Sequence, residues 1–142
     1  MDCALYLPHA RSEERKIFEA AMEKLDMVWL KGEAFNRPLS LPYGKQKLLE
    51  VARALATEPK LLLMDEPAQG LSTHEIKELA RLIALIRDSS ITVLMVEHRM
   101  ELVIGIADRV VVLNFGEKIA EGTPAEVQTN EQVIAAYLGK EF

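Results

Sequence analysis

Residues 61–72, LLLMDEPAQGLS, decide the fold class of this chain. Four large apolar residues lead directly into Asp65 and Glu66, and a proline follows. A short apolar run of this kind predicts a strand buried on both faces, because a half-exposed strand alternates apolar with polar side chains. Ser72 and Glu75 then have the spacing of a capping box, which predicts a helix directly after the strand.

Two further strand patterns follow in the same order. ITVLMV (91–96) predicts a second buried strand, RVVVLN (109–114) a third, and a short helix over about 100–107 separates them. FGEKIAEG turns into a short fourth strand, Thr123 before a proline begins another helix, and a last helix covers about 131–138. Alternating strands and helices predict an α/β protein with a parallel sheet.

The first 56 residues are predicted to be helical and to stand apart from this pattern. One helix is predicted over 13–25 with Ser12 as its N-cap, and a second over 44–56, which Pro59 ends. The predicted apolar face of the first helix consists of Ile17, Ala21, Leu25 and Val28.

Composition narrows the class of protein. The chain has 142 residues, with 17 basic against 22 acidic side chains and no block of like charge, which argues against nucleic acid as the main partner. A single cysteine, Cys3, excludes an internal disulfide and fits a reducing compartment. No apolar run approaches the roughly 20 residues that cross a bilayer, and the start does not have the pattern of a signal peptide. We expect a cytosolic protein that reaches a membrane only through another protein.

Asp65, Glu66 and His98 are the candidate catalytic residues. Ligands of an open parallel sheet bind beyond the carboxyl ends of its strands, where Asp65 could hold Mg²⁺ directly or through water. Glu66 could orient or deprotonate an attacking water, and His98, after the second strand, could hydrogen-bond a terminal phosphate or that water. The alternative is that polar residues merely end these strands. His9 and His74 lack such a setting and are predicted to be surface residues.

LPYGKQKLLEVARAL, residues 41–55, is a third candidate site. A glycine at a helix start allows close approach of a backbone, and the free N–H groups there suit an anion. An ordinary amphipathic helix after a proline-containing turn has the same pattern, so this segment alone leaves both interpretations open.

In this order and spacing, the three features resemble the C-terminal part of an ATP-binding cassette (ABC) transporter ATPase. LLLMDEP is similar to the Walker B strand, which implies Asp65 for Mg²⁺ and Glu66 as the catalytic glutamate. AQGLS is similar to the D-loop, His98 to the switch histidine, and LPYGKQ lies where the family has its LSGGQ signature. The finer similarity is to ATPases of branched-chain amino-acid importers. The implied nucleotide-binding residues are Leu41, Pro42, Tyr43, Gly44, Lys45, Gly70 and Ser72.

The sequence also departs from the family pattern. Pro42 replaces the signature serine and has neither a hydroxyl nor an N–H. Tyr43 replaces a glycine, Lys45 a glutamine, and Ser72 the D-loop aspartate. No segment matches the Walker A pattern G-x-x-x-x-G-K-[ST], because both Gly-Lys pairs of the sequence fail it. The Q-loop is missing as well, so the chain resembles a cassette without its N-terminal half.

The resemblance implies an incomplete P-loop NTPase-like domain. Residues 1–56 would be the helical subdomain with the signature helix, and residues 57–142 the C-terminal part of the RecA-like core. The Walker A strand would lie between the strands that end near Val96 and Asn114, so both would expose unpaired backbone. We expect the isolated chain to be poorly stable, to dimerise or to swap strands; a monodisperse monomer with a high melting temperature would contradict this.

The function implied by the resemblance is ATP binding and hydrolysis coupled to transport of a solute such as an amino acid. ATP and Mg²⁺ would be the cofactors of the complete cassette, and this chain alone is not expected to hydrolyse ATP. The implied partners are a second ATPase subunit, an integral-membrane permease and the missing N-terminal half of the cassette. The protein itself would lie at the inner face of the cell membrane, bound to the permease.

Two alternatives to this function stay open. One is a non-catalytic dimerisation or regulatory module, and the other is the head of a DNA-repair or chromosome-maintenance ATPase, which the single short helix and the net acidity disfavour.

Overall fold

The computed structural model describes residues 8–138 of the chain. The chain forms two compact units, with the boundary between Met95 and Val96. The elements up to this boundary are α1 (Pro8–Met27), two 3₁₀ turns (Lys31–Glu33 and Pro38–Ser40), α2 (Tyr43–Leu55), β1 (Leu61–Asp65), α3 (Thr73–Asp88) and β2 (Thr92–Val96). The remaining elements are α4 (Met100–Ile106), β3 (Val110–Asn114), β4 (Glu117–Gly122), α5 (Pro124–Gln128), α6 (Glu131–Val133) and a π-helical turn (Ile134–Leu138).

This order of elements confirms the predicted α/β class. The division into compact units does not test the predicted subdomain boundary at residue 56, which stays a prediction. Between residues 8 and 138, no helix is both long and apolar enough to cross a membrane.

Helix α1 differs from its prediction at the beginning. It starts at Pro8 rather than after Ser12, so Ser12 lies inside the helix and the predicted N-cap is wrong. Proline suits the first turn of a helix, whose N–H groups need no helical partner, and no residue up to Leu25 breaks the helix.

The predicted apolar face of α1 is wrong in its first half. The side chain of Ile17 is 70% exposed, whereas Val28 and Leu30, just beyond the helix, are buried. Helix α1 packs against α2, but within the described residues nothing covers its first turns. Phe18 instead stacks on Phe35 with ring centroids 6.4 Å apart.

Strands β1 and β2 form a two-stranded sheet. The N–H of Thr92 donates to the carbonyl of Lys60 at 3.0 Å, so both strands begin at the same end and run parallel. Leu62 and Met64 are buried, whereas Leu63 is 66% exposed. On β2, Leu94 is 59% exposed.

The prediction that these two strands are buried on both faces is therefore wrong. A parallel sheet is normally covered by helices on both faces. Leu62 and Met64 share one face of β1 and are buried, whereas Leu61 and Leu63 share the other face and are exposed. This exposure supports the prediction of low stability or self-association. The buried side chains of this unit's core include Leu48, Ala52, Leu55, Leu62, Met64, Leu79, Leu82, Ile83 and Ile86.

The ends of α2 and the start of α3 agree with their predictions. The Ser72 hydroxyl accepts from the N–H of Glu75 at 3.4 Å, and the Glu75 carboxylate accepts from the N–H of Ser72 at 2.8 Å, which confirms the capping box of α3. Helix α2 spans its predicted range to within one residue. Glu58, before Pro59, leaves the helical conformation with φ of 51°.

The second unit is built on the β3–β4 hairpin. Val110 pairs with Gly122 at one end and Asn114 with Glu117 at the other, and the pairing is antiparallel. Both turn residues, Phe115 and Gly116, have positive φ, as tight hairpin turns require. The apolar core of this unit comprises Val110, Val112, Val127 and Val133 with flanking, partly buried Met100, Val103, Ala107, Ile119 and Ala120.

Thr123 caps α5 as predicted. Its hydroxyl accepts from the N–H of Glu126 at 3.4 Å, and its own N–H donates to the Glu126 carboxylate at 2.7 Å. The β3–β4 pair is a separate sheet from β1–β2.

Candidate functional site

The two candidate carboxylates lie at the carboxyl end of β1. Asp65 is the last residue of the strand and is exposed, and Glu66 is half-buried with φ of 43°. A left-handed conformation is uncommon for glutamate and costs about 1–2 kcal/mol, and such outliers cluster at functional sites. The carbonyl of Glu66 accepts from the N–H of Gln69 at 3.0 Å, closing a turn whose buried residues include Pro67.

Asp65 could supply one of several ligands to a magnesium ion. Among residues 8–138, no group of three or more His, Cys, Asp or Glu side chains is arranged to hold a metal. Mg²⁺ in nucleotide-hydrolysing proteins is usually held by one or two carboxylates together with phosphate oxygens and water. A single exposed carboxylate at a strand end therefore fits the ion, and the assignment stays a prediction.

The start of α2 presents unpaired backbone donors. Pro42 is its N-cap and offers no side-chain cap, and the first helical bond runs from the N–H of Gln46 to the carbonyl of Pro42. Within the described range, the N–H groups of Tyr43, Gly44 and Lys45 have no acceptor. Unpaired N–H groups and the positive end of the helix macrodipole favour an anion.

Two glycines bring this helix start into contact with the loop after β1. A Cβ built on Gly70 would lie 3.0 Å from Cε1 of Tyr43, and Gly70 itself has φ of 76°. A Cβ on Gly44 would lie 2.1 Å from Oε1 of Glu75. The structure therefore places the predicted signature segment against the predicted D-loop and the start of α3.

The contact between Gly44 and Glu75 was missed by the sequence analysis. Capping predicted only the bond between Glu75 and Ser72, and no spacing rule relates Gly44 to a residue so distant in the sequence. Hydrogen bonds from the hydroxyl and the N–H of Ser72 lower the pKa of Glu75 below its ordinary value, so its carboxylate stays charged beside the helix start.

Charged side chains surround the helix start as well. The ammonium group of Lys45 donates to the carboxylate of Glu33, an ion pair that the sequence did not indicate. The ammonium group of Lys47 lies 5.7 Å from the centroid of the Tyr43 ring. A cleft of about 120 Å³ opens at this place, lined by residues including Pro42, Gly44, Lys45, Leu71 and Glu75. Small-molecule sites usually enclose about 300–1,000 Å³, so the cleft suits contact with one end of a ligand rather than its enclosure.

His98 belongs to the second unit. It follows β2 in the loop before α4, and its side chain is 62% exposed. Its N–H donates to Oε2 of Glu97 at 2.8 Å, and Nδ1 lies 3.5 Å from the same oxygen. Because His98 and the two carboxylates are described in separate units, their meeting at one sheet edge stays a prediction. His74 is exposed, as predicted, and the side chain of His9 lies outside the described part of the chain.

A parallel β-α-β arrangement with acids at a strand end, and a helix start open to an anion, defines the nucleotide-binding α/β class. Two family models match the chain: "ABC transporter" over residues 6–69 and "Branched-chain amino acid ATP-binding cassette transporter" over residues 117–142. The chain belongs to the ABC transporter ATPase family.

Proteins with similar sequences are described as members of the same family. The high-affinity branched-chain amino acid transport ATP-binding protein LivG of Salmonella typhimurium is 42% identical over 137 residues, which cover 96% of this chain and 54% of LivG. BraF of Pseudomonas aeruginosa, which carries the same description, is 43% identical over 134 residues, which cover 94% of this chain and 52% of BraF.

Solved structures of ABC transporter ATPases also have a similar fold. The ADP conformation of MJ1267, an ATP-binding cassette of an ABC transporter, superimposes with a TM-score of 0.80 at 29% identity, covering 88% of this chain and 51% of MJ1267. The chain thus spans about half the length of the relatives it matches. LivG, BraF and MJ1267 are all described as parts of transporters rather than as DNA-repair proteins.

Proposed function

We propose that this chain is the C-terminal portion of an ABC transporter ATP-binding protein that couples ATP binding and hydrolysis to amino-acid transport through a membrane permease. The contact of the α2 start with the loop after β1, at Gly70 and Tyr43, is the observation that carries the proposal. In this proposal the signature and D-loop residues act on the same nucleotide, and the packing of Gly70 against Tyr43 within one compact unit supports this.

Each candidate residue has a role in this proposal. Asp65 would hold Mg²⁺, which would neutralise charge on the phosphates, and Glu66 would orient the attacking water. His98 hydrogen-bonds the γ-phosphate or that water. Residues 41–45 bind the nucleotide held by the opposing subunit, with Gly70 and Ser72 of the D-loop beside them. The reaction is phosphoryl transfer to water, which proceeds mainly through positioning and electrostatic stabilisation.

The partners follow from the same proposal. They are a second ATPase subunit, an integral-membrane permease and the N-terminal half that carries the Walker A loop, and the protein works at the inner face of the cell membrane. The descriptions of LivG and BraF as branched-chain amino acid transport ATP-binding proteins support an amino acid as the solute. A net charge of −5 supports the absence of a nucleic-acid partner.

The test is a chimera in which this chain replaces the matching segment of LivG, followed by Glu66→Gln. We expect the chimera to hydrolyse ATP and Glu66→Gln to lower kcat by about 10²–10⁴-fold, the usual contribution of general base catalysis, while ATP still binds. Glu58→Gln is a matched control, because Glu58 also precedes a proline and has φ of 51°. Turnover retained by Glu66→Gln would refute the role of Glu66.

The second candidate is a non-catalytic dimerisation or regulatory module. Pro42, which removes a donor from the signature, favours it, whereas the unpaired N–H groups of Tyr43, Gly44 and Lys45 favour nucleotide contact. Titration of the chain with ATP and Mg²⁺ separates the two, since specific binding contradicts a module that has lost ATP chemistry. A folded chimera with neither ATP binding nor hydrolysis would support the module.

A further inference from the structure

The loop after β2 contains a carboxylate that no proposed role yet uses. The side chain of Glu97 has 0% solvent exposure, whereas the residue as a whole is half-buried and the side chain of the next residue is 62% exposed. Its Oε2 accepts from the N–H of His98 at 2.8 Å and from the N–H of Arg99 at 3.2 Å. Enclosing a carboxylate is costly without hydrogen-bond donors, and two backbone N–H groups supply them here. These bonds also hold the carboxylate in one orientation.

The same oxygen faces the imidazole of His98. Nδ1 lies 3.5 Å from Oε2 of Glu97, a distance at which the contact is electrostatic rather than a full hydrogen bond. An ionised carboxylate only accepts hydrogen bonds, so it favours the imidazole form that carries a proton on Nδ1. The group beside one ring nitrogen sets which nitrogen of a histidine is protonated.

We propose that Glu97 is a positioning residue for His98: it keeps a proton on Nδ1 and thereby assigns contact with the nucleotide to Nε2. The catalytic part of this proposal rests on the proposed function, in which His98 acts on ATP. In other enzymes, a fixed carboxylate that hydrogen-bonds one ring nitrogen of a histidine orients the ring and sets the protonation form of the other nitrogen, which contacts the substrate.

The chain contains a second histidine–glutamate pair that serves as a control. Nδ1 of His74 lies 3.8 Å from Oε2 of Glu78 on α3, and both side chains are solvent-exposed, at 82% and 41%. An exposed pair one helical turn apart contributes little and leaves both side chains mobile. We therefore expect Glu78 to have little effect on the protonation form of His74.

Nitrogen NMR of the full, ¹⁵N-labelled chain tests the first part directly. Spectra are recorded at about pH 9, where free imidazoles are neutral, and His98→Asn identifies the His98 signals. In the unsubstituted chain we expect His98 to be mainly in the Nδ1–H form. Because this reading needs no change at Glu97, a predominance of the Nε2–H form overturns the proposal even where a variant folds poorly.

Glu97→Gln then removes the full negative charge beside Nδ1. The glutamine oxygen that keeps the two backbone N–H bonds occupies the position of Oε2 near Nδ1, but it is only a neutral acceptor, so we expect the share of the Nδ1–H form of His98 to fall. The matched Glu78→Gln should leave the His74 signals unchanged. Unchanged His98 signals in Glu97→Gln would overturn the proposal.

Kinetics in the LivG chimera test the catalytic part. We expect Glu97→Gln to lower kcat by about tenfold or more with little change in the KM for ATP, by analogy with partners that orient metal-binding histidines. A changed protonation form with unchanged kcat would overturn the positioning role. An inactive chimera would instead refute the proposed function, while the NMR result would still decide whether Glu97 sets the form of His98.

Discussion

Gly44→Ala should fail to stabilise a helix in which alanine is otherwise the better residue. Glycine in a helix interior is about 0.5–1 kcal/mol less favourable than alanine, and in the first turn, where Gly44 lies, the difference is at most of this size, so the substitution ought to be beneficial on propensity alone. At Gly44, however, the new Cβ would lie 2.1 Å from Oε1 and 2.7 Å from Cδ of Glu75. Atoms at these distances overlap, and the Glu75 side chain must move.

The magnitude follows from these two opposed effects. Overpacking costs about 1–3 kcal/mol, and the lower end applies because the overlapping atoms belong to the end of a flexible side chain. The propensity gain is thus cancelled or exceeded, and we expect Gly44→Ala to lie between neutral and about 1 kcal/mol destabilising. Gly105 on α4 is the matched control, since a Cβ there has nothing within 4 Å. Gly105→Ala should stabilise by about 0.5–1 kcal/mol.

Urea-induced unfolding, followed by circular dichroism and by the fluorescence of Trp29, measures both variants against the parent chain. NMR titration supplies a second readout, because displacement of Glu75 from Ser72 should return the pKa of Glu75 toward its ordinary value. Glu75→Ala removes the overlapping side chain, so adding Gly44→Ala to the Glu75→Ala variant should increase its stability by the propensity difference. If Gly44→Ala is as stabilising as Gly105→Ala and leaves the pKa of Glu75 unchanged, the described contact between α2 and α3 is refuted.

Two other predictions concern a glycine and a helix cap. Gly70→Ala should destabilise the chain more than Gly116→Ala in urea unfolding. Both glycines have positive φ, which costs an alanine about 1–2 kcal/mol at either position, but only at Gly70 would the new Cβ lie 3.0 Å from the ring of Tyr43. Equal losses of stability in the two variants would contradict this contact. Hydrogen bonds from the N–H and hydroxyl of Thr123 lower the pKa of Glu126, so their stabilisation is present above the pKa of the unfolded chain and is lost as pH falls through the lower, folded pKa. The difference in urea midpoint between the parent chain and Thr123→Ala should therefore narrow as pH falls below about 4, and a constant difference would contradict this.

Local signals in the sequence predicted local structure well. The capping boxes at Ser72 and Thr123 and the end of α2 before Pro59 all depend on residues within one helical turn, and the structure confirms them. Ser12 shows the limit of such signals. A serine near a helix start suits an N-cap, but it is also tolerated inside a helix that a proline has already begun.

Burial could not be predicted in the same way. The apolar run of β1 indicates a strand suited to burial on both faces, yet Leu63 is exposed, because burial depends on what packs against the strand. Ile17 on α1 is exposed for the same reason.

The sequence by itself determined the order of strands and helices, the family and the identity of the candidate residues Asp65, Glu66 and His98. These follow from residue type and spacing, which the chain carries without folding. Only the tertiary structure decided that Gly44 contacts Glu75 and that Glu97 is enclosed beside His98. Contacts between distant residues, and the enclosure of one side chain, arise from packing in three dimensions, which no local pattern encodes.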